Sequence, residues 1–229
     1  MLDWLLDPID PSRLHDVGWH LSWHARLMTL GWGVLVPVGI LAARYMKVTP
    51  WQDWPRELDN RTWWTLHRGC HYSTLLLTLG GLALILSMPE PPSTITQAVL
   101  GHRWLGWSTA ALLLVQIALG LARGTKGGPS DPRGVMRGDH FDMTARRRLF
   151  EVLHKTFGYT ALLAGCAAIA SGLWQANAPR WMWVIITLWW AALLVAVALI
   201  RRLTPQVSTY AAIWGHEFPD RSPDEPGGR

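Results

Sequence analysis

Between Leu27 and Ala43 the chain carries no charged side chain, and Arg26 and Arg44 stand at the two ends of that run. An apolar run of helix length, bracketed by long cationic side chains that can snorkel to an interface, reads as a membrane-spanning helix. Four more such stretches follow, from Gly69 to Met88, Trp104 to Ala122, Thr156 to Ala178 and Trp181 to Ile200. Each is close to the ~20 residues that cross ~30 Å of hydrocarbon. Lipid offers backbone polar groups no partners, so five spans of this kind predict an all-α membrane protein. The expected spans are about 21–45, 63–88, 98–122, 149–175 and 181–201. An outer segment, 1–19, precedes the transmembrane domain, 20–202, and a cytoplasmic tail, 203–229, follows it.

Half of the 229 residues are hydrophobic, too many for an ordinary soluble domain. Most of the 16 tryptophans, Trp19, Trp23, Trp63, Trp64, Trp104, Trp107, Trp174 and Trp181 among them, fall near span ends, where indoles anchor at the interface. The net charge of +5 is informative through its sidedness and calls for no nucleic-acid partner. With five spans, one face holds Arg44, Lys47, Arg56, Arg61, Arg68, Arg123, Lys126, Arg133, Arg137, Arg146, Arg147, Arg148, Lys155, Arg201 and Arg202. The other holds only Arg13, Arg26, Arg103 and Arg180. The positive-inside rule makes the first face cytoplasmic, so the expected location is the cytoplasmic (inner) membrane, with the N-terminus outside and the C-terminus inside. The first residues mix acidic and apolar positions without a basic start or a cleavage site, so no signal peptide is expected. Cys70 and Cys166 lie inside spans, where apolar packing is the expected role.

In chain order, Trp4, Leu5, Leu6 and Ile9 of the outer segment could lie on the membrane surface, or the segment could cover a cofactor from outside; Pro8 and Pro11 prevent a long helix. Pro37 in span one removes an amide donor and frees a carbonyl near Gly33, which predicts a kink. The inner loop 46–62 is too short for a domain. The loop 123–148 is rich in Gly, Pro and Arg and reads as headgroup-facing, or alternatively as a docking surface for a cytoplasmic partner. Gly158, Ala161, Gly165, Ala168 and Gly172 in span four allow close approach of a neighbouring helix or a flat cofactor. Span five has no ionisable residue inside it and is expected to pack on the outside of the other four.

Four histidines carry the chemistry. His24, His67, His102 and His154 each open a span, and consecutive spans run antiparallel. His24 and His102 therefore share the outer level, and His67 and His154 the inner. In a four-helix arrangement alternate helices face each other diagonally across the core, where cofactor sites are built. Two imidazoles at one depth suit the axial positions of a haem iron, leaving no open coordination position. No acidic residue lies inside the uncharged core of a span to suggest zinc or copper, and there is no CxxCH for covalent attachment, so two haem b groups are expected. The fold class is then a four-helix transmembrane haem-binding bundle plus a fifth transmembrane helix. Gly106 and Gly158, four residues after His102 and His154, leave room on the ligand faces. Arg26 and Arg103 outside, and Arg68 and Lys155 inside, could pair with haem propionates, although snorkelling alone would also explain them. His20 and His71, one turn from proposed ligands, are assigned to secondary hydrogen bonding or solvent contact, and His15, His140 and His216 to the surface.

HARLMTLGWGVLVPVGILAARY, WWTLHRGCH, GHRWLG with QIALG, and LHKTFGY resemble the four core helices of the cytochrome b561 superfamily, in the form whose membrane core often follows a DOMON domain. The resemblance covers residues 20 to about 175. It implies a transmembrane electron carrier with two b haems, held by His24 with His102 and by His67 with His154. No DOMON domain precedes the core in this sequence, His71 stands where relatives often carry glutamine, and no segment matches the ascorbate-binding segments of animal and plant members. The expected function is therefore electron transfer across or at the membrane as the subunit of a partner redox protein. A self-sufficient reductase drawing on quinol or a cytoplasmic reductant, with ferric iron or a small oxidant as acceptor, is the alternative. A non-redox assembly subunit of a larger membrane complex is a third reading. Expected partners are the lipid bilayer and a redox protein or quinone, with a homodimer or larger complex in keeping with relatives, which are often dimers.

Overall fold

A computed structural model describes residues 2–47, 61–88, 97–124, 128–129, 136–137 and 144–203. Most of the 46–62 loop, much of 123–148 with His140, and nearly all of the tail with His216 lie outside the described residues.

The described chain is nearly all helical. A short helix α1, Leu2–Leu6, is followed by α2, Trp19–Tyr45, α3, Arg61–Leu86, α4, Gln97–Leu121, α5, Ala145–Gln175, and α6, Arg180–Leu203. Each of the last five contains a stretch long and apolar enough to cross a membrane. Among the described residues β-pairing is confined to a two-residue antiparallel pairing of Gly128–Pro129 with Met136–Arg137 in the loop between α4 and α5 and an isolated bridge between Pro8 and Pro179. Helix α5 starts at Ala145, four residues before the expected point, because the Thr144 hydroxyl caps it by accepting from the Arg147 amide at 3.3 Å. Its extra turn consists of the basic ARRR run, which is polar and so invisible to a search for apolar residues.

The proline in α2 does not produce a simple break. Thr29–Leu35 widens into a π-helical stretch directly ahead of Pro37, a common way to absorb a local mismatch in a helix ladder. The Gly33 carbonyl, which Pro37 cannot serve, accepts from the Trp189 indole of α6 at 2.8 Å. The neighbouring Gly31 carbonyl accepts from Val36 N–H and from the Thr74 hydroxyl at 3.3 Å. An unpaired carbonyl in hydrocarbon is costly, so these partners settle where α3 and α6 lie along α2.

The core is small and central. Trp32, Val36, Leu113, Ala161, Ile169 and Ile186 form it. The Trp32 indole lies against Gly165, where an added Cβ would come within 2.8 Å of its Cε3, and donates to the Thr78 hydroxyl at 3.1 Å. Outside that core apolar side chains face outward, with Leu76, Leu86, Trp104 and Leu194 each about 70% exposed (69–72%). Such a surface belongs against lipid.

Candidate functional site

The helices bring the four histidines together as two pairs. His24 on α2 and His102 on α4 face each other with ring centroids 6.4 Å apart, their planes crossed at 77°. His67 on α3 and His154 on α5 face each other at 6.2 Å and 65°. All four side chains are half-buried.

The second nitrogen of each ring shows what the first is free to do. His24 Nδ1 lies 2.9 Å from the Gly81 carbonyl and His67 Nδ1 3.0 Å from the Gly39 carbonyl. His102 Nδ1 lies 3.1 Å from both the Ala168 carbonyl and the Ser171 hydroxyl, which itself donates to Ala168 at 3.0 Å. A carbonyl only accepts, so Nδ1 carries the proton in these three rings and Nε2 keeps a bare lone pair. This is the arrangement in which an imidazole is oriented for a metal. His154 differs: its Nδ1 is buried without a hydrogen-bond partner, and its ring stacks on Phe150 at 5.0 Å.

The separations also fit a metal between the rings. Bonds of about 2.0–2.1 Å to each Nε2, plus roughly 1.1 Å from that nitrogen to each ring centre, put two axial imidazole centroids roughly 6.3 Å apart. Among the described residues no group of three or more His, Cys, Asp or Glu side chains gathers around a single point. The donor set is therefore two imidazoles per level, which suits a metal whose remaining ligands come from a macrocycle. Space for one exists beneath His102: Gly106 is half-buried, yet a Cβ there would meet nothing within 4 Å. Gly158 faces Gln116, whose amide oxygen would lie 3.6 Å from such a Cβ and whose amide nitrogen is buried without a partner.

Glycines on facing helices seat the rings, and the sequence reading did not single out their role. A Cβ on Gly172 would approach His102 Cε1 to 3.1 Å, one on Gly81 would approach His24 Nδ1 to 3.4 Å, and one on Gly39 would approach His71 Nε2 to 3.3 Å. Gly39 and Gly81 supply the accepting carbonyl as well. His71, one turn from His67, packs edge-on to it at 4.4 Å.

The four expected cations are placed less directly. Arg26 is exposed, bonded to the Ser22 hydroxyl and lying over Trp23. Arg103 is exposed, as is Arg68, which lies over Trp64 and Tyr72. Lys155 is 65% exposed and bonds Glu151 at 3.0 Å. The cations closer in are Lys47 and Arg147. Lys47 is half-buried over the Trp63 ring, and burial pulls its ammonium below the usual lysine range against the opposing field of Glu151. Arg147 bonds Glu151 at 3.1 Å and lies over Phe150.

At the outer end, residues 7–15 fold back onto the turn between α5 and α6. Asn177, buried and in the left-handed region at φ 46°, accepts from Asp10 N–H at 3.0 Å and donates to the Asp10 and Arg13 carbonyls. His15, expected to be an ordinary surface residue, is instead half-buried with Nδ1 2.7 Å from the Ala176 carbonyl.

The fold and the paired imidazoles define a class: a multi-pass helical membrane protein with histidine pairs stacked along its bundle axis. The chain belongs to the cytochrome b561 family, whose model, described as eukaryotic cytochrome b561, matches residues 23–178. That family is one of membrane electron-transfer proteins that bind haem b. Similar proteins include three cytochrome b561 and DOMON domain-containing proteins of Arabidopsis thaliana. They are 26% identical over 89% of this chain and 38% of the relative, 23% over 83% and 40%, and 27% over 71% and 34%. The chain thus spans well under half the length of these relatives. No solved structure matches it.

Proposed function

We propose that this protein is a dihaem cytochrome in which His24 with His102 hold an outer haem b and His67 with His154 an inner one. It carries electrons across the bilayer for a partner redox protein. The observation behind this reading is that imidazoles on two pairs of helices meet at two depths, each pair at the centroid separation a shared axial metal needs. Bound haem supplies reversible one-electron transfer at iron. The chain's residues do the rest. Gly39, Gly81 and Ala168 hold Nδ1 protons and so present Nε2 as the donor in three rings. Two imidazoles at each level would hold the haem iron from both sides and leave it to supply outer-sphere electron transfer. In keeping with the positive-inside rule the N-terminus lies outside and the C-terminus in the cytoplasm, and quinone is the other candidate partner besides a protein.

The test is haem content by pyridine haemochrome, with a reduced-minus-oxidised spectrum, on the detergent-purified protein and four single variants. The wild type is expected to carry two b haems per chain. His24→Ala and His102→Ala should each lose one haem and His67→Ala and His154→Ala the other, distinguished by their α bands. Equal loss of both haems from every variant, with the helical content intact, would refute the pairing.

A further inference from the structure

The inner histidine pair is framed by a second layer of aromatic rings and cations. On α5, Arg147, Glu151 and His154 are spaced by four and three residues, which puts them on one face, with Arg147 about 10.5 Å nearer the inner surface than His154. The Arg147 guanidinium lies 4.9 Å from the centre of the Phe150 ring, and Phe150 stacks on His154. On α3 the arrangement repeats. Trp63 stands one turn inward of His67, and the Lys47 ammonium, arriving from the end of α2, lies 5.7 Å from its ring centre. Each imidazole of the pair thus has an aromatic ring below it on the same helix face and a cation on that ring.

The charges do not balance among themselves. Lys47, Arg147 and Lys155 surround the single carboxylate of Glu151, and Lys47 also lies within electrostatic reach of His67 and Arg147 of His154. Among the described residues that leaves two positive charges in surplus at a partly desolvated place. Only 13% of the Arg147 side chain is exposed, and its Nε is buried without a hydrogen-bond partner although its Nη2 serves Glu151. A buried guanidinium N–H without an acceptor is costly, which points to an acceptor that belongs there.

We propose that Lys47 and Arg147 are the residues that bind the two propionates of the inner haem, with Glu151 holding Arg147 in place and Lys155 completing the charge around Glu151. This rests on the reading of His67 and His154 as a haem site. Two carboxylates match the surplus of two charges, and the ~10.5 Å of helix between His154 and Arg147 suits a haem standing edge-on with its propionates toward the inner surface. The neighbouring cation by sequence, Lys155, is one hundred degrees around the helix from His154 and turns to solvent.

The test uses the full chain in the His24→Ala background, so that only the inner haem is read. The protein is produced without haem and loaded with haem b or with its dimethyl ester, which has no propionate charge. Loss of each to excess haem-free myoglobin is then timed. The parent should lose the ester about a hundredfold faster than haem, about tenfold for each of two charge-assisted hydrogen bonds. Arg147→Gln and Lys47→Gln should each release haem about tenfold faster than the parent and discriminate against the ester only about tenfold, because one propionate contact remains in each. Arg148→Gln, an exposed cation one residue along, should behave as the parent. Equal loss of haem and ester by the parent would overturn the proposal. So would Arg147→Gln and Lys47→Gln variants that release both faster yet keep the parental ratio, because that marks a packing lesion. A parent that loads no haem at all would instead sink the underlying four-histidine reading.

Discussion

At the scale of single residues the two sites differ in how their imidazoles are held. His102 is fixed by a carbonyl, a hydroxyl and the close approach of Gly172, whereas His154 leans on Phe150 with an unpartnered Nδ1. Hydrogen bonding at Nδ1 raises the basicity of the ligating nitrogen. Gly172→Ala tests that seat: a methyl 3.1 Å from His102 Cε1 forces the ring to shift by a few tenths of an ångström. If His102 holds an outer haem as proposed, its α band should move or broaden while the inner one stays, and an unchanged outer band would show that the ring is not held there. The histidines themselves were legible in the sequence, because their distance from the span ends sets their depth. Their partners were not. Gly39 and Gly81 come from facing helices with nothing local to mark them, and Ala168 and Gly172 stood out in span four only as small residues open to a helix or a flat cofactor, not as partners of an imidazole. The cations show the same limit from the other side. Arg103 and Lys155 are adjacent in sequence to His102 and His154, which on a helix places them a quarter-turn away, while Arg147, seven residues off, shares the face of His154.

At the scale of helices, one interlocking of side chains sets how the bundle closes. Trp32, at the π-helical stretch of α2, fills the space that Gly165 leaves on α5, and its indole N–H is satisfied by Thr78 of α3. One residue thereby ties three helices. Gly165→Ala should overpack this contact, since the atom it meets at 2.8 Å belongs to a rigid ring. The expected cost is about 1–3 kcal/mol, read as a lower Tm of the detergent-purified protein. A Tm equal to wild type would mean the helices separate here at no cost. Trp189→Phe addresses the other side of α2. It keeps the aromatic packing and strands the Gly33 carbonyl that Pro37 exposes, at about 1–3 kcal/mol for a buried group without a partner. Limited proteolysis should then find the α5–α6 connection more accessible, while a cleavage pattern like wild type would leave the indole without a structural role. The sequence announced the free carbonyl, because proline lacks an N–H wherever it stands. It did not announce that a tryptophan from the fifth span would serve it, which depends on where α6 docks.

At the scale of the molecule, the outer segment and the turn between α5 and α6 close the chain into a loop. Asn177 makes three hydrogen bonds to the backbone at Asp10 and Arg13, the Arg13 guanidinium donates to the Trp174 carbonyl, and Arg180 takes the Trp4 carbonyl with Asp7 3.6 Å away. Asn177 stands five residues beyond Gly172, on which the His102 ring rests. Asn177→Gly isolates the side chain's role, because glycine accepts the positive φ at no steric cost while the three hydrogen bonds are lost. Trypsin should cut at Arg13 in the variant much faster than in the wild type, where the guanidinium is engaged. Equal cutting would mean the clasp is open in both. Acid gives a second lever with a definite sign. The Ser12 hydroxyl and amide, with Arg13, hold the Asp10 carboxyl below its ordinary value of 3.8. A depressed carboxylate contributes stability that is fully present above the unfolded value and is lost as pH falls through the folded one. The clasp should therefore hold from neutral pH down to about 4 and open only below that, as followed by hydrogen exchange of the Asp10 amide, which Asn177 accepts from. Loosening that begins near pH 6, well above the carboxylate range, would show that Asp10 does not hold the clasp.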